Sequence, residues 1–163
     1  MAVGRAAAVV AAALVLPIAA ATTVDAAPTP RGHLRGYDRS MLSYVNHVRE
    51  VRGLRPLHQS NRLYRIAHSW AEHMAAHRKL GHDPGVRADL GKRCPRWRMG
   101  GENIAAQVGT DAHELFELYM HHRGHRRNIL QRRYTDIGIA TIHVYRDGQS
   151  TEWDVMDFAN HCR

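Results

Sequence analysis

Gly100-Gly101-Glu102-Asn103-Ile104-Ala105 sets a lone glutamate between a glycine pair and an apolar stretch. Glycines let the backbone turn sharply and bring a neighbouring side chain against another element. Glu102 therefore reads as a carboxylate placed to accept hydrogen bonds from a histidine or from the backbone. The preceding stretch, Gly81 to Gly101, has five glycines, two prolines and no apolar period. It is predicted to be a long loop, and such loops in compact domains are usually functional or tied down. His82 stands at its start as the natural partner of Glu102, and Cys94 lies within it.

Working outward, Tyr37, Met41, Tyr44, Val45 and Val48 recur at helical spacing, and Pro56 bars continuation beyond Gly53. Ser60 is a good N-cap for a second helix, with Leu63, Ile66, Ala67, Trp70 and Met74 on one face and its end expected at Gly81. Asp111, with Glu114 three residues on, forms a capping box. The helix it opens has Leu115, Leu118 and Tyr119 as its apolar face, and is expected to reach His122 and break at Gly124. Tyr134 to Tyr145 alternates as a strand, with Ile137 and Ile139 on one face and Ile142 and Val144 on the other. Arg146-Asp147-Gly148-Gln149 is a hairpin turn, and Ser150 to Phe158 returns. Helices followed by an antiparallel hairpin, in 163 residues, describe one mixed α/β domain.

The N-terminal segment has a different character. Met1 to Arg5 carries one positive charge, and Ala6 to Ala21 is nearly all Ala, Val, Leu and Ile. That run is short and alanine-rich for a membrane span, and small residues follow at Val24-Asp25-Ala26. Residues 1–26 are expected to be a secretory signal peptide, with an uncleaved anchor as the alternative, and residues 27–36 a flexible leader. The domain then spans 37–163. No later apolar run could span a membrane, so the mature chain is expected to be secreted and extracellular. In an oxidising compartment Cys94 and Cys162 are expected to form one disulfide; free thiols or a metal pair are the alternatives.

The formal charge is +8, and there are 13 histidines. A basic balance favours anionic partners. Aromatic residues do not interleave with the arginines between Arg123 and Arg133, so nucleic acid is not an expected partner. Nucleotide-binding glycine loops, a G-x-S-x-G elbow and H-E-x-x-H are absent. His73 and His77, four apart on the second helix, either share a metal or pack beside the core. His121-His122-Arg123-Gly124-His125 is denser: His122 continues the Leu115–Leu118 line, and His125 follows a glycine that lets it turn back. A zinc site there would need a ligand from elsewhere.

With these residues in view, the chain resembles the CAP superfamily of cysteine-rich secretory proteins, antigen 5 and pathogenesis-related proteins, in its bacterial SCP-like extracellular branch. Leu80-Gly81-His82 and Gly101-Glu102-Asn103-Ile104-Ala105 carry the likeness. So do Asn46, Arg49, Gly53-Leu54, Pro56-Leu57, Trp70, Met74-Ala75, Gly124-His125-Arg126, Asn128-Ile129-Leu130, Tyr134-Thr135-Asp136-Ile137-Gly138 and Asp157-Phe158. They stand in order from Tyr37 to Phe158. The resemblance implies a three-layer α-β-α sandwich with a central antiparallel sheet. It also implies a cleft holding two histidines and two acidic residues, of which His82 and Glu102 match the first pair. The second pair departs: His122 stands where the family often has glutamate, Arg133 where it has histidine, and Tyr119 where it has tryptophan. His82, Glu102, His122 and His125 are thus the expected ligand-binding residues, with His82 and His125 as metal ligands if Zn2+ binds.

The expected function is a non-enzymatic binding module, monomeric, acting on a lipid, a metal ion or a cell-wall component. The alternatives are a metal-assisted hydrolase with Glu102 as base and His82 as its partner or metal ligand, and a basic polyanion binder.

Overall fold

The computed structural model describes residues 36–163. The signal segment and all of the leader except Gly36 lie outside the described residues. Gly36 itself begins the first helix. The elements run α1 (Gly36–Glu50), β1 (His58–Gln59), α2 (Asn61–His77), α3 (Val86–Arg93), β2 (Gly100–Val108), α4 (Ala112–His121), α5 (Arg123–Ile129), β3 (Asp136–Arg146) and β4 (Gln149–Ala159).

The sheet has the order β1-β3-β4-β2. β2, β4 and β3 pair antiparallel, and only the two-residue β1 runs parallel, to β3. The hairpin turn is as the sequence predicts. Arg146 pairs with Gln149, while Asp147 (φ 50°) and Gly148 (φ 78°) both take the left-handed conformation that a primed turn requires.

Helices cover both faces. On one face Met41 and Val45 of α1, Leu115, Phe116 and Tyr119 of α4 and Ile129 of α5 pack on Ile137, Ile139, Met156 and Phe158. On the other, Ala67, Ala71 and Met74 of α2 pack on Ile104, Ala140, Trp153 and Val155. The layers are therefore α-β-α. Arg49 locks the first layer. Its fully buried guanidinium donates to the carbonyls of Arg55, Ile129, Gln131 and Tyr134, joining α1 to the end of α5 and the approach to β3. α2 lies against the sheet at Gly138, where a Cβ would come within 2.2 Å of the backbone of Leu63 and Tyr64.

Several boundaries differ from the sequence reading. The long loop contains α3, which buries Leu90 against Leu63 and Ile66 of α2. α2 stops at His77, not Gly81, because Arg78 takes the left-handed conformation (φ 50°) and its N–H returns to the Met74 carbonyl. Gly124 does not break α4. The helix ends at His121, and Gly124 sits in the first turn of α5. Leu118 is exposed, and Phe116 takes its place in the core. The capping box of Asp111 and Glu114 and the Ser60 N-cap form as read. Cys94 and Cys162 are joined in a disulfide, which anchors the end of α3 to the chain beyond β4.

Candidate functional site

β2 is an edge strand, so its first residues are reached from both helical layers. The segment after α2 comes to it on one side and α5 on the other. Gly101 permits this approach. A Cβ there would lie 2.4 Å from the Tyr134 hydroxyl and 3.1 Å from Asn128 Oδ1. Asn128 Nδ2 donates to the Glu102 carbonyl and to Asn103 Oδ1, and Asn103 Nδ2 donates to the His125 carbonyl. These two asparagines pin α5 to the strand and thereby set the position of His125. Both residues carry the family likeness in the sequence; their bonding role arises only in the tertiary contact.

Glu102 projects to the α2 side of the sheet. Its side chain is only 6% exposed, whereas that of His82 is 66% exposed. Glu102 Oε1 lies 2.5 Å from His82 Nδ1, and the Asp83 N–H donates to both carboxylate oxygens at 3.2 and 3.3 Å. Burial raises the Glu102 pKa, while the His82 hydrogen bond and the Asp83 N–H pull it back. The carboxylate accepts, so His82 Nδ1 carries the hydrogen, and in the neutral imidazole Nε2 is then the acceptor, directed away from the pair. Glu102 is thus a buried orienting group, and His82 the exposed group that it orients.

His125 and His122 lie across the edge. Their rings are 4.3 Å apart, and His125 also meets Tyr119 edge-on at 5.0 Å. Burial, then the charges of His122 and His82, lower the His125 pKa to about 4. Its imidazole is neutral at ordinary pH. His122, whose helical line directs it inward or into a cleft, is exposed at the junction of α4 and α5, with its ring beside that of His125 and outside the core. Arg133 is also exposed, and its backbone N–H donates to Gln131 Oε1.

Behind the edge lie two carboxyls that the sequence reading missed. Asp154 accepts from Tyr119 Oη at 2.6 Å and Thr141 Oγ1 at 2.8 Å, and burial raises its pKa to about 7. Asp157 is buried beside Glu102, its cross-strand neighbour, and burial pushes its pKa far up, reinforced by Glu102. In the sequence both fall in Trp153-Asp154-Val155-Met156-Asp157-Phe158. Aspartates there suggest a water-facing side of a strand; β4 has no such side, because both of its faces are covered.

Zinc is the ion that the family likeness raises. Among the described residues no three His, Cys, Asp or Glu side chains converge as a ligand set. The donors as arranged do not fit a tetrahedral zinc site. His73 and His77 stack with Trp70 along α2, at 4.6 Å for Trp70–His73 and 4.2 Å for His73–His77.

Comparison with known proteins accords with this fold. The chain is 28% identical over 124 residues to the uncharacterized protein YkwD of Bacillus subtilis, covering 74% of this chain and 47% of that protein. It thus spans about half the length of this curated relative. Among solved structures, an extracellular protein containing an SCP domain from Bacillus anthracis superposes with a TM-score of 0.65 at 22% identity, over 77% of this chain and 40% of that one. An outer surface protein of Borrelia burgdorferi gives a TM-score of 0.65 at 14% identity, over 76% and 91%. These likenesses show the fold. The model of the cysteine-rich secretory protein family matches residues 42–158, from within α1 to the end of β4, and the chain belongs to that family.

Proposed function

We propose that this chain is an extracellular binding module that takes its ligand at the β2 edge, through His82 and His125. The observation that carries this reading is the division of labour between Glu102, buried and hydrogen-bonded, and His82, exposed and held by it. An orienting carboxylate behind an exposed imidazole fixes which nitrogen meets the ligand. The neutral His125 offers a second imidazole across the same edge. Two imidazole acceptors suit a ligand rich in hydroxyl and amide donors, such as a cell-wall glycan. Extracellular placement rests on the signal-like N-terminal segment and on the description of the Bacillus anthracis neighbour as extracellular.

The alternative is a hydrolase acting through the same pair, with Glu102 as base. Calorimetric titration with soluble peptidoglycan fragments, alongside product analysis, tests both. Saturable binding that falls at least about tenfold in His82→Ala, with the fragments recovered intact, supports a binding module. Fragments cleaved by wild type and spared by Glu102→Gln would replace it with the hydrolase. Binding unchanged in His82→Ala would move the site elsewhere.

A further inference from the structure

At the opposite edge of the sheet from Glu102, beyond β1, two adjoining cavities of about 610 and 530 Å3 open beside the disulfide. Arg62 and Arg163 line both. Arg96 and His161 complete the basic lining of the first, and Arg65 and His58 that of the second. The single acidic side chain in either lining is Asp136. It is fully buried and already accepts from Thr135 Oγ1, the Cys162 N–H and Arg163 Nε, so it orients Arg163 and leaves the other arginines unneutralised. Among the described residues neither Arg65 nor Arg96 is paired with a carboxylate. The first turn of α2 also enters the second cavity and contains no acidic residue, although negative charge is the usual complement to a helix N-terminus.

We propose that this groove binds a phosphate-bearing linear polymer, with successive phosphates seated in the two cavities. Guanidinium groups match phosphate oxygens in geometry and charge. The floor is held in place: the Cys94–Cys162 disulfide fixes the chain end, Ser60 Oγ donates to the Cys162 carbonyl, and Asp136 holds Arg163. Neither lining contains a Phe, Tyr or Trp ring on which a base could stack; the rings present are the smaller imidazoles of His161 and His58. That favours a polymer of polyol or sugar phosphates over a nucleic acid. This site is separate from the His82–Glu102 edge and does not rest on it.

The test uses long-chain polyphosphate, inorganic phosphate and single-stranded DNA, each titrated into the mature oxidised protein at low and raised salt. Arg65→Gln/Arg96→Gln is compared with Arg123→Gln/Arg126→Gln, which removes the same charge from exposed positions on α5. Circular dichroism confirms that each variant is folded before it is titrated. The proposal expects polyphosphate to bind more tightly than inorganic phosphate and to be salt-sensitive. It expects a loss of about tenfold or more in Arg65→Gln/Arg96→Gln, little change in the α5 variant and none in His82→Ala. Equal losses in the two double variants would reduce the effect to net charge and overturn the site. Absence of polyphosphate binding at low salt would also overturn it, as would tighter binding of DNA than of polyphosphate.

Discussion

Asp157 lies directly across the β2–β4 ladder from Glu102, on the same face of the sheet, and both of its carboxylate oxygens are buried without a hydrogen-bond partner among the described residues. The pair sets a buried neutral acid behind the carboxylate that orients His82. Burial pushes the Asp157 pKa well above the ordinary carboxylate range. An acid whose folded pKa is raised contributes stability that is fully present below its unfolded pKa, about 3.9, and is lost as pH rises through the folded value. Asp157→Asn should therefore flatten the decline in stability on the alkaline side, with a higher urea midpoint than wild type at pH 8 and little difference at pH 4. A variant that is less stable at both pH values would show that the Asp157 carboxyl is hydrogen-bonded and contradict this reading.

The Tyr119–Asp154–Thr141 triad gives a second prediction. Tyr119→Phe removes one of the two hydrogen bonds to a fully buried carboxyl. The loss should be about 1–3 kcal/mol and should grow above pH 7, since Asp154 titrates near that value and its ionised form then has a single donor. Urea unfolding of the variant at pH 6 and pH 8 reads this directly; a pH-independent loss would contradict it.

His125 should remain neutral until strongly acidic pH, with its ring protons titrating near 4. Because protonated His122 lowers that value, His122→Ala should move the His125 midpoint upward. The linkage has a definite sign: a histidine with a depressed folded pKa favours the folded state above the unfolded pKa, about 6.5, and that contribution is lost as pH falls towards 4. Proton NMR of the imidazole signals follows both effects, and an ordinary midpoint for His125 in wild type would refute the packing described.

Gly138→Ala should be among the most destabilising single changes in the domain. The new methyl would meet the α2 backbone, not the end of a movable side chain, at a cost of about 3 kcal/mol or more. A melting temperature within a degree or two of wild type would show that α2 stands further from the sheet.

Much of this architecture is legible in the sequence because its signals are local. The Ser60 cap, the Asp111–Glu114 capping box and the Asp147-Gly148 turn each depend on residues within a few positions of one another, and each forms as read. α3 is not legible because it buries a single residue, Leu90, and carries a glycine within it, so it has no apolar period to detect. The Glu102–His82 pairing was readable from the glycine-flanked carboxylate and the histidine at the other end of the segment. Asp154 and Asp157 were not: their burial follows from β4 lying inside the sheet with helices on both faces, which only the assembled fold reveals. The basic groove was hidden for the same reason, since Arg62, Arg65, Arg96 and Arg163 are scattered along the chain and meet only where the disulfide closes the domain.

The most direct test of the central claim is the 15N spectrum of the His82 imidazole at pH 7.5, without and with soluble peptidoglycan fragments, in wild type and Glu102→Gln. The expected result is Nδ1 protonated and Nε2 bare in wild type, a shift of Nε2 when fragments bind, and loss of that tautomer preference together with weaker binding in Glu102→Gln. A His82 protonated at Nε2, or fragments that bind and leave its nitrogens unshifted, would contradict it.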